Sequence, residues 1–153
     1  IVILSIYIAF NFNGRMIIKD NVLIKYRQGI IDDKKDLVIY IPEGVTEIMD
    51  GTFLECNFIS EINMPSSVRI IHKEAFKNCE KLKEINLPES LERIEDGAFA
   101  GCKNLSEINI PKELIFIGKS EFSECSSLKE VTVSKEIADK IEFYENVKVR
   151  YLE

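Results

Sequence analysis

The chain has 153 residues, of which 46% are hydrophobic and 30% are charged, a composition typical of one folded domain and not of a disordered segment. Lys and Arg number 20 against 26 Asp and Glu, and the net charge of −6 without a basic cluster argues against nucleic-acid binding. No apolar run approaches the roughly 18 residues that a membrane-spanning helix needs.

Residues 1–12 allow two interpretations. Apolar side chains alternate with polar or small ones as far as Phe12, and Asn13-Gly14 follows, which predicts a strand entering a turn. The same stretch is apolar enough to be the remnant of a targeting peptide. Because the chain begins at Ile1 without a Met, we expect that the start of the natural protein is missing.

Residues 1–36 as a whole are predicted to form a lead-in and a hairpin cap. Two apolar stretches, residues 16–19 and 22–26, flank Asp20-Asn21, which is typical of a tight β-hairpin. Residues 28–36, which contain Gly29 and several charged side chains, are the best loop candidate.

From Leu37 to Val133 the sequence repeats with a period of 23 residues. Several residue types keep this spacing without an insertion, and four rows illustrate it: Cys56, Cys79, Cys102 and Cys125; Pro42, Pro65, Pro88 and Pro111; Phe53, Phe76, Phe99 and Phe122; Ile48, Ile71, Ile94 and Ile117. A period of this length predicts a solenoid, because each repeat exposes apolar surface that only a stacked neighbour can bury.

Within one repeat, a short strand is followed by an irregular return. Ile85 and Leu87 lie two residues apart and point to one face of the strand, while Glu84 and Asn86 point to the other. Pro88 has no backbone N–H and ends the strand. The apolar residues that follow return at intervals of three or four, which indicates a helical or turn-rich path packed under the strand.

Residues 134–153 are predicted to cap the array. Ser134 takes the place of the repeat proline and can begin a short helix from Lys135 to Phe143. Val147, Val149 and Tyr151 then alternate with basic residues, which predicts a last strand. The chain is thus predicted to be one structural domain of cap, four repeats and cap.

The repeats resemble the BspA-type (Treponema pallidum-type) leucine-rich repeat. The resemblance rests on PSSVRIIHKEAFKNCEK at 65–81, PESLERIEDGAFAGCKN at 88–104 and PKELIFIGKSEFSECSS at 111–127, with a start at Pro42. Thr52 and Glu121 depart from the pattern, which has Ala in their place. The resemblance implies a right-handed leucine-rich-repeat solenoid with a parallel sheet on one face. It also implies a secreted or surface-exposed protein, since family members with a known role are generally adhesins or host-protein binders.

The cysteines and the only histidine are candidates for redox or metal chemistry. An even number of Cys admits disulfides, and stacking does not exclude the pairs 56–79 and 102–125. Buried thiols acting as small apolar side chains are the favoured interpretation. No CxxC pair exists, and His72 has no periodic role, so we expect no metal site and no cofactor, with His72 a solvated surface residue.

The outward strand positions form the candidate binding site. They fall in two rows that parallel strands would stack at about 4.8 Å: Glu61, Glu84, Glu107 and Glu130, and beside them Asn63, Asn86, Asn109 and Thr132. One interpretation is an acidic stripe that meets a basic partner. The other is a solvated face whose Asn ladder fixes the register.

No catalytic arrangement is found. The chain lacks G-x-S-x-G, a Gly-rich phosphate loop and H-E-x-x-H, and pairs such as Glu95-Asp96 lie in predicted loops with no base, nucleophile or metal partner. We therefore predict a non-enzymatic, adhesin-like module that contacts a protein partner, such as a host or matrix protein, through the exposed sheet face. The alternative is a structural spacer or stalk segment of a longer surface protein, with no ligand of its own.

Overall fold

The computed structural model describes residues 6–11, 14–28 and 36–152. Within these ranges the elements in chain order are β1 (Ile6–Asn11), β2 (Gly14–Lys19), β3 (Val22–Gln28), β4 (Leu37–Tyr40), β5 (Glu47–Ile48), β6 (Ile59–Asn63), β7 (Ile70–Ile71), β8 (Glu84–Asn86), β9 (Arg93–Ile94), β10 (Glu107–Asn109), β11 (Phe116–Ile117), β12 (Glu130–Val133), α1 (Lys135–Ala138) and β13 (Lys148–Tyr151). None of the described residues belongs to a helix with the length and hydropathy of a membrane span.

The N-terminal segment forms an antiparallel meander. Strand β1 pairs with β2, and β2 pairs with β3. The predicted hairpin is confirmed: Asp20 and Asn21 join β2 to β3 with φ angles of 50° and 65°, as a two-residue type I′ turn requires. Residues 1–5, 12–13, 29–35 and 153 lie outside the described residues. The predicted loop is therefore largely outside them, and the targeting-peptide interpretation stays a prediction.

The longer strands of the repeats form the predicted parallel face, here called the front face. Strands β4, β6 and β8 form one parallel sheet, and β10, β12 and β13 form another, with β8 lying against β10. Burial alternates along each strand, so that Ile62, Ile85, Ile108 and Val131 point into the core while their neighbours point outward. The chain is therefore a leucine-rich-repeat solenoid.

A second parallel face, here called the rear face, was not predicted. The return path of each repeat contains a two-residue strand, and β5, β7, β9 and β11 continue the N-terminal meander as one seven-stranded sheet, because β3 pairs in parallel with β5. The buried member of each short strand belongs to the isoleucine row 48, 71, 94 and 117. A strand of two residues leaves no alternation that sequence analysis could detect.

Turns, and not helices, close each repeat after the rear face. Two rows of residues there have positive φ angles: Gly51, Glu74, Gly97 and Ser120 form the first, and Glu55, Asn78, Gly101 and Glu124 form the second. Each corner thus has two residues in the left-handed conformation, four positions apart, and these prevent a helix from propagating. Backbone bonds between repeats replace the helical ones, as when Phe53 N–H donates to the Ala75 carbonyl oxygen at 2.8 Å.

Replacing Ser120 with Gly is expected to raise the free energy of unfolding by about 0.5–1 kcal/mol, because Ser120 has a φ of 61° that Gly adopts without strain. Gly51 and Gly97 already occupy the matching place. Urea unfolding followed by circular dichroism measures the change. The matched control is Ser126→Gly, whose exposed position does not have a positive φ and should show no gain. Equal stabilities for the two variants would contradict the prediction.

The core is a single column of apolar side chains with an aromatic stack at its centre. The rings of Phe53, Phe76, Phe99 and Phe122 lie 5.1, 5.5 and 6.1 Å apart between successive centroids and are within 11° of parallel. The stack continues into both caps: Tyr26 of β3 lies 5.2 Å from Phe53, and Phe143 lies 6.5 Å from Phe122. The sequence period identified the four Phe residues but could not identify the two cap residues, which lie off the period.

The C-terminal cap has a shorter helix than predicted. Helix α1 ends at Ala138 and not at Phe143. The Ser134 side chain makes no capping hydrogen bond, and the next amides, Lys140 and Ile141, donate to carbonyls only three residues back. This tighter path brings Phe143 onto the aromatic stack. The predicted last strand is present, with β13 pairing in parallel with β12.

Candidate functional site

The outward residues of the front face stack in register, as the periodic pattern requires. Glu61 lies opposite Glu84, and Glu107 opposite Glu130. In the second row, Asn63 lies opposite Asn86, and Asn109 opposite Thr132. All eight side chains are exposed or half-buried. The structure therefore brings the predicted site residues together on one surface, which is here called the acidic stripe.

The negative charge of the acidic stripe is concentrated at its middle. Glu130 is paired with Arg150 at 2.6 Å and with Lys148 at 3.7 Å, and Glu61 accepts a hydrogen bond from the Asn63 amide at 2.8 Å. Within the described parts of the chain, no ion pair or side-chain hydrogen bond involves Glu84 or Glu107. These two carboxylates are exposed and therefore available to a partner.

The two ends of the front face differ in chemistry, which the sequence analysis missed. On the N-terminal side, β4 continues the two rows with Val38 and Tyr40, both exposed. On the C-terminal side, β13 continues them with Lys148 and Arg150. The face thus runs from apolar and aromatic, through acidic, to basic. Val38 and Tyr40 lie one period of 23 residues before Glu61 and Asn63, whereas β13 lies off the period and only its strand register places Lys148 and Arg150 on the face.

A second polar cluster lies on the rear face, and it corrects the prediction for His72. The imidazole is not a solvated surface group: its side chain is 20% exposed and lies between carboxylates from the two neighbouring turns. Its Nε2 is 2.8 Å from Glu47 Oε2, and its Nδ1 is 3.2 Å from Glu95 Oε2. Glu95 therefore does have a titratable partner, which contradicts the prediction that the Glu95-Asp96 pair has none.

The carboxylates control the protonation of His72. Burial disfavours the imidazolium, but hydrogen bonds and charges from Glu47 and Glu95 outweigh burial and raise the pKa of His72 above its usual 6.5. Asp50 completes the group, since one ligand atom each from Asp50, His72 and Glu95 lie within 4.8 Å of one another. Sequence analysis missed the cluster because only His72 and Glu95 share a column of the repeat, whereas Glu47 lies two residues before that column and Asp50 one residue after it.

The four cysteines are free thiols buried in the core. Three of them donate from Sγ to the carbonyl oxygen of the preceding repeat's Phe, as Cys79 does to Phe53 at 3.1 Å. Burial raises the pKa of Cys56 and of Cys125 to about 11, and the pKa values of Cys79 and Cys102 are raised further. Protonated, enclosed thiols of this kind are poor nucleophiles and poor metal ligands.

Comparison with protein-family models identifies the family of the repeats. The model described as BspA type Leucine rich repeat region matches residues 37–148 in six copies. This range spans the periodic segment and extends into the C-terminal cap. A search of curated proteins found no significant match.

Solved structures with the same fold are bacterial leucine-rich repeat proteins. A leucine rich cell surface protein from Faecalibacterium prausnitzii superposes with a TM-score of 0.74 at 24% identity, over 95% of this chain and 40% of that one. The pneumococcal vaccine antigen PcpA gives 0.70 at 28% identity over 77% and 29%. A leucine-rich repeat protein from Bacteroides capillosus gives 0.67 at 26% identity over 83% and 98%. The chain thus spans less than half of the first two structures.

Proposed function

Because the chain belongs to the BspA-type leucine-rich repeat family, we propose that it is a non-enzymatic protein-binding module of a surface or secreted protein. Two of its structural neighbours are described as a cell surface protein and as a vaccine antigen, which supports the location. Solenoids of this kind present long, regular surfaces, and such surfaces suit extended contacts with another macromolecule.

The front face is the proposed contact surface, and the in-register acidic stripe is the observation that carries this proposal. Glu84 and Glu107 are exposed and project from neighbouring strands. Asn86 and Asn109 beside them offer both hydrogen-bond donors and acceptors. A partner with a basic surface would gain charge complementarity at the middle of the face, where Glu84 and Glu107 lie.

The apolar end of the face extends the proposed contact. Tyr40 is 64% exposed and Val38 is 36% exposed, on the strand next to Glu61 and Asn63. Exposed aromatic side chains are enriched at protein–protein contacts because they bury much area at little cost in conformational entropy. A host or matrix protein that presents basic residues next to an apolar patch would match the front face in an adhesin-like interaction.

The double variant Glu84→Lys with Glu107→Lys is expected to lose at least about tenfold in binding, since like charges across a contact cost several kcal/mol. The assay is capture of host surface and matrix proteins on the immobilised chain, followed by affinity measurement of each captured protein. The matched control is Glu89→Lys with Glu113→Lys, which makes the same change in net charge at exposed positions outside the acidic stripe. Equal affinities for the two double variants would remove the front face as the site.

The second candidate function is a structural spacer or stalk segment without a ligand. The uniform repeats favour this function. No repeat carries an insertion, and every repeat keeps its buried Ile and its buried Phe, in the rows 48, 71, 94 and 117 and 53, 76, 99 and 122. Failure of the unmodified chain to capture any protein above the level of the denatured chain would favour the spacer.

A further inference from the structure

The rear face carries a group of side chains with the composition of a metal site. Asp50, His72 and Glu95 come from three successive turns, and their ligand atoms lie within 4.8 Å of one another. Ligand atoms on one Zn²⁺ ion are separated by at most about 4.4 Å, twice the metal–oxygen distance, so small side-chain rotations would complete the site. Asp50 is exposed and the other two residues are half-buried, which leaves the site open to solution.

The hydrogen bond from His72 to Glu47 orients the imidazole. The 2.8 Å contact joins Nε2 to Glu47 Oε2, so the other nitrogen, Nδ1, faces Glu95 at 3.2 Å. Histidines that bind metals almost always donate their second ring N–H to a carboxylate or carbonyl, which fixes the tautomer and increases the basicity of the ligating nitrogen. Glu47 already occupies that position.

The backbone holds these residues in register. Strand β5 pairs in parallel with β7, with Ile48 opposite Ile71, and β7 pairs with β9, with Ile71 opposite Ile94. Glu47 directly precedes Ile48 and Asp50 follows it by two residues, while His72 and Glu95 directly follow their buried isoleucines. Because the isoleucines are fully enclosed in the core, the outward side chains that flank them start from fixed positions.

We propose that Asp50, His72 and Glu95 bind a divalent transition-metal ion of the Zn²⁺ type, with Glu47 as the residue that orients His72. One imidazole and two carboxylates suit Zn²⁺ or Mn²⁺, whereas Mg²⁺ and Ca²⁺ prefer oxygen ligands alone. Three protein ligands leave further coordination positions to water. The ion would link three successive turns of the rear face, and the proposal is independent of any partner at the front face.

Titration of the tag-free chain with Zn²⁺ alone tests the proposal. Isothermal calorimetry should give one site per chain, and the unfolding temperature should rise with Zn²⁺ concentration, because an ion that binds the folded chain stabilises it. The chain has one histidine, so its imidazole resonances can be assigned without ambiguity and should shift on binding. Mg²⁺ at the same concentrations should give neither response.

The variants separate ligands from the orienting residue. His72→Gln should abolish one-site binding, and Glu47→Gln should weaken it about 10–100-fold while keeping the stoichiometry. Glu113→Gln, an exposed carboxylate outside the cluster, is the matched control and should bind as the unmodified chain does. Circular dichroism with a chelator present establishes that each variant is folded.

Three results would overturn the proposal. They are the absence of one-site binding to the unmodified chain, equal affinity for Zn²⁺ in His72→Gln, and a thiolate charge-transfer band when Co²⁺ replaces Zn²⁺. The last would assign the ion to the buried cysteines and not to the carboxylates and imidazole.

Discussion

Replacing Glu121 with Ala is expected to stabilise the protein by about 1–3 kcal/mol at pH 8, the usual cost of a buried polar group without a partner. Glu121 is 2% exposed, and its Oε1 has no hydrogen-bond partner among the described residues. Burial, reinforced by the charge of Asp96, raises the pKa of this carboxyl to about 7, although the amides of Glu121 and Gly97 offset part of the effect. Ala75 and Ala98 hold the matching place in the preceding repeats and are fully buried, so the fold already accommodates Ala there.

The increase in the free energy of unfolding caused by Glu121→Ala should depend on pH. Below pH 4.5 the carboxyl group of Glu121 is neutral in the folded and the unfolded chain. Between pH 4.5 and 7 it ionises only in the unfolded chain, so its contribution to stability falls as pH rises; above pH 7 the contribution is constant. The change in pKa limits the total effect to about 3 kcal/mol. Urea unfolding at pH 4, 6 and 8 measures the dependence.

Glu121→Gln is the control for charge, since it keeps the size and the polar atoms but cannot ionise. The difference in free energy of unfolding between the unmodified chain and Glu121→Gln should vary with pH. Glu121→Ala should be the more stable of the two variants at every pH. A cavity of about 490 Å³ next to Glu121, lined also by Lys140 and Tyr144, opens to solvent, so the smaller side chain leaves no closed void. Loss of stability in Glu121→Ala at pH 8 would contradict the prediction.

Replacing Phe76 with Ala is expected to destabilise the protein by about 3–5 kcal/mol, the usual cost of deleting a buried ring. Phe76 is fully enclosed and stacks on both sides, at 5.1 Å from Phe53 and 5.5 Å from Phe99. Each aromatic pair adds about 0.5–1.5 kcal/mol beyond the burial of apolar area. Because repeats contact only their neighbours, a void at this position weakens the coupling between the two halves of the array. Urea unfolding followed by circular dichroism measures the loss.

Two comparisons isolate the stack. Phe76→Leu keeps an apolar side chain and should lose only about 1–3 kcal/mol, which represents the ring pairs and imperfect packing. Phe143→Ala removes the partly buried last ring, which has one neighbour at 6.5 Å, and should cost about 1–2 kcal/mol. If Phe143→Ala proved as costly as Phe76→Ala, the enclosed stack would not be the source of stability.

The predictions from sequence succeeded where residues recur. The 23-residue period located the inward row of Phe53, Phe76, Phe99 and Phe122 and the strand that precedes each repeat proline, because stacked repeats require the same side chain at the same depth. The same argument located Glu84 and Glu107 on the outer face. His72 and Glu95 share a column, 23 residues apart, but Glu47 lies two residues before that column, so periodicity could not reveal the complete group.

Recurrence in the sequence is enough to predict the solenoid, its front face and its core rows, since burial of an apolar row depends only on that recurrence. What single residues do where the repeat is broken is established only by three-dimensional packing. It gave the return path, predicted as helical or turn-rich, a second parallel face and left-handed corners, in which backbone amides donate alternately within the corner and to the next turn. It also enclosed Glu121 with its Oε1 atom unpartnered among the described residues. It placed Tyr26 and Phe143 at the ends of the stack, because residues off the period are positioned only by the neighbours against which they pack.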